Sequence, residues 1–436
     1  MTGERVFKIE LNLFDRAFFR DFIQSTPRVG GVSPSKRSHR LVKNAYDLFR
    51  ERIDAGWDAA GVPKKAFEWA VHLTRALQDH MVLVTVVSTN EKSAASIFAT
   101  LNDRGIGLST VDLIRSFILQ RAVESHREEI IECWDTMFTA CGTNLGAETL
   151  IRMSWVSEHG DVKTRALYKI VADSLDAADT TPLMYSRRLR DDGLLYKRFR
   201  EGDSDDGDEQ ADLRALRTLR FNASYPLLFA AHHRLSNEDV KELTRALVAI
   251  AVRHNVICNL DRARLESVVY EAAHRLSAGA NLAARLKALR DVSPGDQQFR
   301  ESFSRLSFSI PEHGIVRYLL QSMDARMAKT SEVTVAGADR VHVEHIYPQS
   351  PLDGQRWTEH ETFLTRIGNL TLLDKKLNES IKNADFATKK EKGYKDSRLE
   401  ITRALLSLDS WSHEAVVARQ EKLCALANKI WPINLV

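Results

Sequence analysis

Cysteine is scarce: Cys133, Cys141, Cys258 and Cys424 are the only four in a chain of 436 residues. No two stand in a CxxC spacing, which excludes the usual thiolate zinc site and offers no disulfide framework, so a reducing compartment is expected. Long hydrophobic runs are missing too. The most apolar stretch, Met81 to Val87, falls far short of the roughly 20 residues that a membrane-spanning helix needs. The N-terminal MTGERVFKIELN has charges where a secretory signal has its apolar centre. A cytoplasmic protein without membrane contact is expected. An excess of one charge is also lacking: 62 basic against 59 acidic residues leave a net +3. Proteins that coat nucleic acid non-specifically carry more, so any such contact must come from local patches.

What is present is the composition of a folded, water-exposed chain, 44% hydrophobic and 28% charged, long enough for two or three domains. Most of it reads as helix. Phe14, Phe18 and Phe22 fall at i, i+4 and i+8, one buried helical stripe. MVLVTVVS, from Met81 to Ser88, is β-branched and reads as a buried strand. IFATLNDRGIGLSTVDLIRSFILQ follows as a helix end, a tight turn at Asn102 to Gly105, and a second helix with Ser109 as N-cap and Asp112 in its first turn. Residues 131–330 have repeated apolar spacing without a defensible repeat. The acidic run Glu201 to Asp212 interrupts them and reads as a solvated loop. SYPLLFAAHHRL reads as a buried helix, with His232 and His233 as surface or packing residues. Composition shifts near Thr330 to β-branched residues and glycine. A strand, a long loop, a second strand (RIGNLTLLD) and a charged helix over Leu377 to Asp396 are expected there, then a last helix from about Ser412. The fold class that results is mainly α, a helical body with a small C-terminal α+β module, divided at 1–130, 131–330 and 331–436.

The densest chemistry lies in VHVEHIYPQSP, Val341 to Pro351. Hydrolysis of a phosphodiester needs a base for water, and neutralisation of the phosphate and the departing oxygen. A histidine of near-neutral pKa can be the base, and a cation held by hard oxygen ligands can do the rest. Glu344 and His345 on the first strand, Asn369 at the second and Asn378 where the helix begins stand in the right order. Each also has a plainer reading: His345 as a packed structural histidine, Asn369 as a turn cap, Asn378 as an N-cap. His342 with Glu344 makes H-x-E, the opening of a zinc deaminase signature, but the P-C-x-x-C that must follow is missing.

EHIYPQ, IGNLTLL, the following LN, F-x-x-KK from Phe386 with Tyr394 beyond it, and the closing Trp411, Arg419 and Trp431 resemble the ββα-metal, or His-Me finger (HNH-like), nuclease domain of GmrSD-type modification-dependent (type IV) restriction enzymes, phosphorothioate-sensing SspE-like proteins included. IFATLNDRGIGLSTVDLI is similar to the latter part of the ParB-like domain that precedes that nuclease. The resemblance implies a DNA endonuclease of anti-phage defence in which His345 activates water and Glu344 and Asn378 hold Mg²⁺ or Mn²⁺. It implies that Asn369 braces the loop that aims the histidine, and that Lys389 and Lys390 contact phosphate. In an ideal strand Glu344 and His345 point to opposite faces, so a shared site requires the strand to bend or end there, near Pro348. The Asp-Gly-Gln-Gln-Arg motif that opens the family's ParB-like domain is absent. The chain is therefore expected to start partway into that domain, as a truncated or shortened relative. NTP hydrolysis is not assigned to it, and a missing ParB-like segment, a partner subunit or self-association is expected to complete it. The competing function is a non-catalytic DNA-sensing or regulatory fragment of such a system.

Overall fold

The computed structural model describes residues 15–25, 32–82, 109–279, 282–328, 340–351, 354 and 356–434, with 282–286 as backbone only. Phe14, the Asn102 to Gly105 turn and all but the first two residues of the expected Met81 to Ser88 strand lie outside them. By packing, the chain divides into two units, Met1–Thr89 and Asn90–Val436.

In the first unit Phe18 and Phe22 are buried and stack at 5.1 Å. Phe18 also stacks on His39 at 4.2 Å. Two helices follow, Arg37–Ala59 and Pro63–His80. The turn between them uses Gly61 at φ 75°, and Pro63 opens the second helix at a position where no N–H is needed.

The second unit opens as its local chemistry predicts. Ser109 accepts from the Asp112 N–H, and the Asp112 carboxylate accepts from the Ser109 N–H at 3.2 Å, a reciprocal cap on Thr110–Arg121. Helices Arg127–Cys141 and Pro182–Glu201 pack side by side. They come so close at Gly193 that a β-carbon there would lie 3.2 Å from the Met137 Cα. Tyr225–Arg234, buried from Tyr225 to Ala231, packs against Arg262–Ser277. His232 and His233 at its end face Glu209 at 3.2 Å and Asp192 at 2.7 Å, so both are packing residues. One apolar core runs from Val111 through Trp134, Phe229 and Leu320 to Val343, Leu370 and Trp431. Burial of this continuous surface is the main stabilising term for the unit.

Two expectations are corrected. The acidic run is only partly loop: a helix starts at Gly207 and extends to Thr218. Asp206 caps it by accepting from the Asp208 and Glu209 N–H groups, and acids in a first turn suit the helix dipole. The charged segment from Leu377 to Asp396 is not one helix. It breaks at Lys382, whose φ of 39° ends the first helix, and restarts with Asp385 accepting from the Thr388 N–H.

The elements around the candidate residues are helix α1 (His313–Ala328), strand β1 (Val341–His345), strand β2 (Leu370–Asp374), helices α2 (Lys375–Ile381) and α3 (Phe386–Lys392), and the last helix α4 (His413–Ile430). β1 and β2 pair antiparallel, Glu344 opposite Thr371 and His345 opposite Leu370. Val341 and Val343 face the main core, while Ile346 and Leu373 join a second, small cluster with Ile381, Phe386, Tyr394 and Leu405.

Arg253 links distant parts of this unit. It is fully buried and donates to the Pro294 carbonyl, the Asn428 Oδ1 at 2.8 Å, the Trp431 carbonyl at 2.9 Å and the Asp296 carboxylate at 2.7 Å. Among the described residues no helix is long and apolar enough to cross a membrane, and the four cysteines are free.

Asp212 provides a test of this packing. Burial pushes its carboxyl up to about 6, against the pull of Arg245 and with help from Asp208 and Glu209. A carboxyl raised in the folded state stabilises the fold below its unfolded pKa of 3.8, and that contribution is lost as pH rises through about 6. Asp212→Asn is therefore expected to add on the order of 1–3 kcal/mol at pH 8 and close to nothing at pH 4. Urea unfolding at the two pH values checks it, and equal effects at both would show that the carboxyl is not held in this environment.

Candidate active site

His345 is the last residue of β1 and is buried. Its ring lies 5.9 Å from that of His313, the first residue of α1, and its Nδ1 faces the Gln349 amide at 3.3 Å. Burial, reinforced by His313 and Lys389, pushes the imidazole down to about 4. The near-neutral value expected from the sequence is thus corrected: water is largely excluded, and the nearby groups that act on the ring are basic. At pH 7 the ring is neutral with a lone pair available.

Asn369 ends a 3₁₀ turn and is fully buried beside the chain that leaves β1. Its Oδ1 accepts from the Tyr347 N–H at 2.7 Å and from the Trp411 indole at 3.0 Å. Its Nδ2 donates to the Tyr347 carbonyl at 3.2 Å and the Leu364 carbonyl at 3.1 Å. Two of these bonds clamp the loop after His345 at Tyr347 and two tie it to Leu364 and Trp411, so the amide's polar capacity is filled. The turn before it is set by close packing. A β-carbon on Gly368 would lie 2.4 Å from the Val416 carbonyl of α4, and the buried Arg419 of α4 donates to the carbonyls of Gly368 at 2.8 Å and Leu370 at 2.7 Å.

Glu344 leaves β1 on the other face. Its Oε1 accepts from Lys389 Nζ at 2.6 Å and from Tyr394 OH at 3.3 Å. The same ammonium donates to the His345 carbonyl at 2.6 Å. Burial raises the Glu344 carboxyl and lowers the Lys389 ammonium, each opposed by the other's charge. The ladder is intact through His345, so β1 does not bend to bring Glu344 and His345 to one face. They can meet a common ligand only across the end of the strand.

Asn378 lies within α2, not at its start; Asp374 is the cap, accepting from the Lys376 N–H at 2.8 Å. The Asn378 amide is half-buried and makes no side-chain hydrogen bond among the described residues. The Lys389 ammonium, expected at phosphate, lies buried against Glu344 at 2.6 Å. Lys390 Nζ donates to the Leu408 carbonyl and lies over the Phe386 ring, so it too is engaged within the domain.

A carboxylate and an amide oxygen form a hard donor set of the kind magnesium-like ions take, with water completing the shell. Asn378 is free to contribute. Glu344 would share its carboxylate between the ion and Lys389. Among the described residues no group of three His, Cys, Asp or Glu side chains converges on one point.

The comparison that bears on this region is then direct. Residues 293–426 match the family described as GmrSD restriction endonucleases, C-terminal domain. The match spans α1, both strands, α2, α3 and most of α4, and therefore every candidate residue. It supports a GmrSD-type restriction endonuclease kinship and, with it, a nuclease role. No curated protein matches the chain.

His313 and Arg317 were not singled out in the sequence. Their i, i+4 spacing in PEHGIVRYLL marks one helix face, but only packing brings that face to β1.

Proposed function

We propose that the protein is a metal-dependent DNA endonuclease of a restriction system acting on modified or foreign DNA, with its active site at the end of β1. The observation that carries the proposal is a neutral, buried histidine held at a strand end by a fully bonded asparagine, inside the matched segment. The antiparallel β1–β2 pair followed at once by α2 agrees with a ββα-metal, His-Me finger arrangement.

In the proposed reaction His345 takes the proton of the attacking water. Gln349 Nε2 lies 3.3 Å from the His345 Nδ1; with the amide turned over so that its oxygen accepts from Nδ1–H, the ring Nε2 would keep the lone pair. Asn369, through the Tyr347 backbone, keeps the ring from swinging away. Glu344 and Asn378 would hold Mg²⁺ or Mn²⁺. Such an ion supplies charge neutralisation at the phosphate and the departing oxygen. Lys389 positions Glu344 and, through the His345 carbonyl, the end of the strand.

The test is nicking of supercoiled plasmid, modified and unmodified, by the full chain. Cleavage is expected with Mg²⁺ or Mn²⁺ and none in EDTA. Absence of cleavage with every divalent ion and substrate would overturn the proposal in favour of a non-catalytic DNA-sensing fragment.

A further inference from the structure

The face of α1 toward β1 presents a basic pair that the reaction above does not use. His313 is half-buried in the first turn and Arg317 follows one turn on, half-buried as well. Arg317 Nε donates to the Val341 carbonyl at 3.0 Å, and among the described residues no carboxylate lies within ion-pair distance of its guanidinium. Several other partly or fully buried arginines of this unit have an acid. Arg188 has Asp192 at 2.9 Å, Arg253 has Asp296 at 2.7 Å, and Arg152 has Asp161 at 2.7 Å. Arg419, which has no acid either, spends itself on the carbonyls behind Asn369. Arg317 is thus a guanidinium taken partly out of water with one backbone bond for compensation. It differs from Arg366, which donates to the Ser304 carbonyl, in lacking, among the described residues, an aromatic ring such as Phe363 beneath it.

Its surroundings sharpen the point. The His313 ring lies 5.9 Å from that of His345. Burial lowers both His313 and Arg317, and Arg317 lowers His313 further; no acid opposes either effect. Partial burial of the unpaired Arg317 guanidinium is costly. A guanidinium with its fork unfilled is matched by a phosphate or a carboxylate. A carboxylate would meet that need from within the chain, and none does.

We infer that His313 and Arg317 form a phosphate-binding site for a nucleic-acid strand, placing one backbone phosphodiester against the His345 face of β1. The inference rests on the reading of His345 as the reacting base. It gives the strand an anchor on the face opposite Glu344, so that a DNA backbone crossing the end of β1 touches both. It also replaces Lys389 and Lys390, whose ammonium groups are engaged elsewhere, as the source of phosphate contact.

The test is binding of a short DNA duplex by the full chain in EDTA, followed by fluorescence anisotropy over a salt series, for wild type, Arg317→Gln, Arg317→Lys and His313→Gln. Glutamine at 317 can still donate to the Val341 carbonyl, and melting curves verify that each variant is folded. Arg317→Gln is expected to weaken binding about 3- to 10-fold and to flatten the slope of log K against log salt by about one unit. Arg317→Lys should restore the slope but not the full affinity, since the charge returns without the fork. His313→Gln should weaken binding by a smaller factor. A loss of packing alone would not change the slope by one charge and recover it with lysine. Equal affinity and slope for wild type and Arg317→Gln overturns the site, as does a wild-type protein that does not bind. Plasmid nicking separates this from the catalytic reading. Nicking with unchanged Arg317→Gln binding rejects the phosphate site alone. Arg317-dependent binding without nicking upholds the site and rejects the reaction.

Discussion

His345→Ala is expected to lower the rate of plasmid nicking by about 10²- to 10⁴-fold, the range that a positioned general base contributes. The expectation follows from placement. The ring is buried at the end of β1, its ionisation pushed down to about 4, and it is neutral and ready to accept a proton throughout the neutral range. Being a weak base by that measure, it depends on position, and the Asn369 clamp on Tyr347 provides it. The measurement is the single-turnover nicking rate at saturating protein, with Mn²⁺, for wild type and variant. A variant that cuts as fast as wild type would place the base elsewhere. A variant that cuts slowly yet binds DNA as tightly would locate the loss in chemistry.

The second large effect is on stability. Lys389→Met is expected to destabilise the fold by about 3–5 kcal/mol, because removing one partner of a buried ion pair strands the other charge. Glu344 then keeps a buried carboxylate with Tyr394 OH as its remaining side-chain partner. The double variant Glu344→Gln with Lys389→Met should recover part of the loss, a coupling that identifies the pair as the cause. Urea unfolding of the three proteins measures it. A Lys389→Met protein within about 1 kcal/mol of wild type would mean that the ammonium does not compensate Glu344, well below the cost of breaking a buried pair.

The legible parts of this protein are those in which one residue type has one physical use. Ser109 and Asp112 announce a helix start, and they form it. The apolar run of SYPLLFAAHHRL announces burial, and the helix is buried. The glycine in IGNL has its reason in the Val416 carbonyl, which the sequence cannot reveal, but its presence before an apolar strand already signals a tight turn. Chemistry that depends on which side a chain turns toward was hidden. Two lysines in F-x-x-KK read as a phosphate-binding stripe until packing turns one inward onto Glu344. Alternation along a strand already puts Glu344 and His345 on opposite faces, but whether the strand bends at its end to bring them together only the intact ladder answers. The acidic run reads as loop because charge suggests solvent, although aspartate is also among the best caps. His313 and Arg317 gain meaning only from the strand they face, and no spacing within α1 states that.

Arg253 has a consequence for how this chain can be divided. The segment that matches a known family begins at residue 293, so Arg253 lies upstream of it, while its acceptors at Pro294, Asp296, Asn428 and Trp431 lie on the far side of that line. Cutting the chain there would remove the cation and strand those acceptors at the ends of the excised piece. The matched segment is, in this molecule, joined to its helical neighbour by the Arg253 guanidinium as well as by the apolar core that the two share. The inherited segment and the folding segment have different borders.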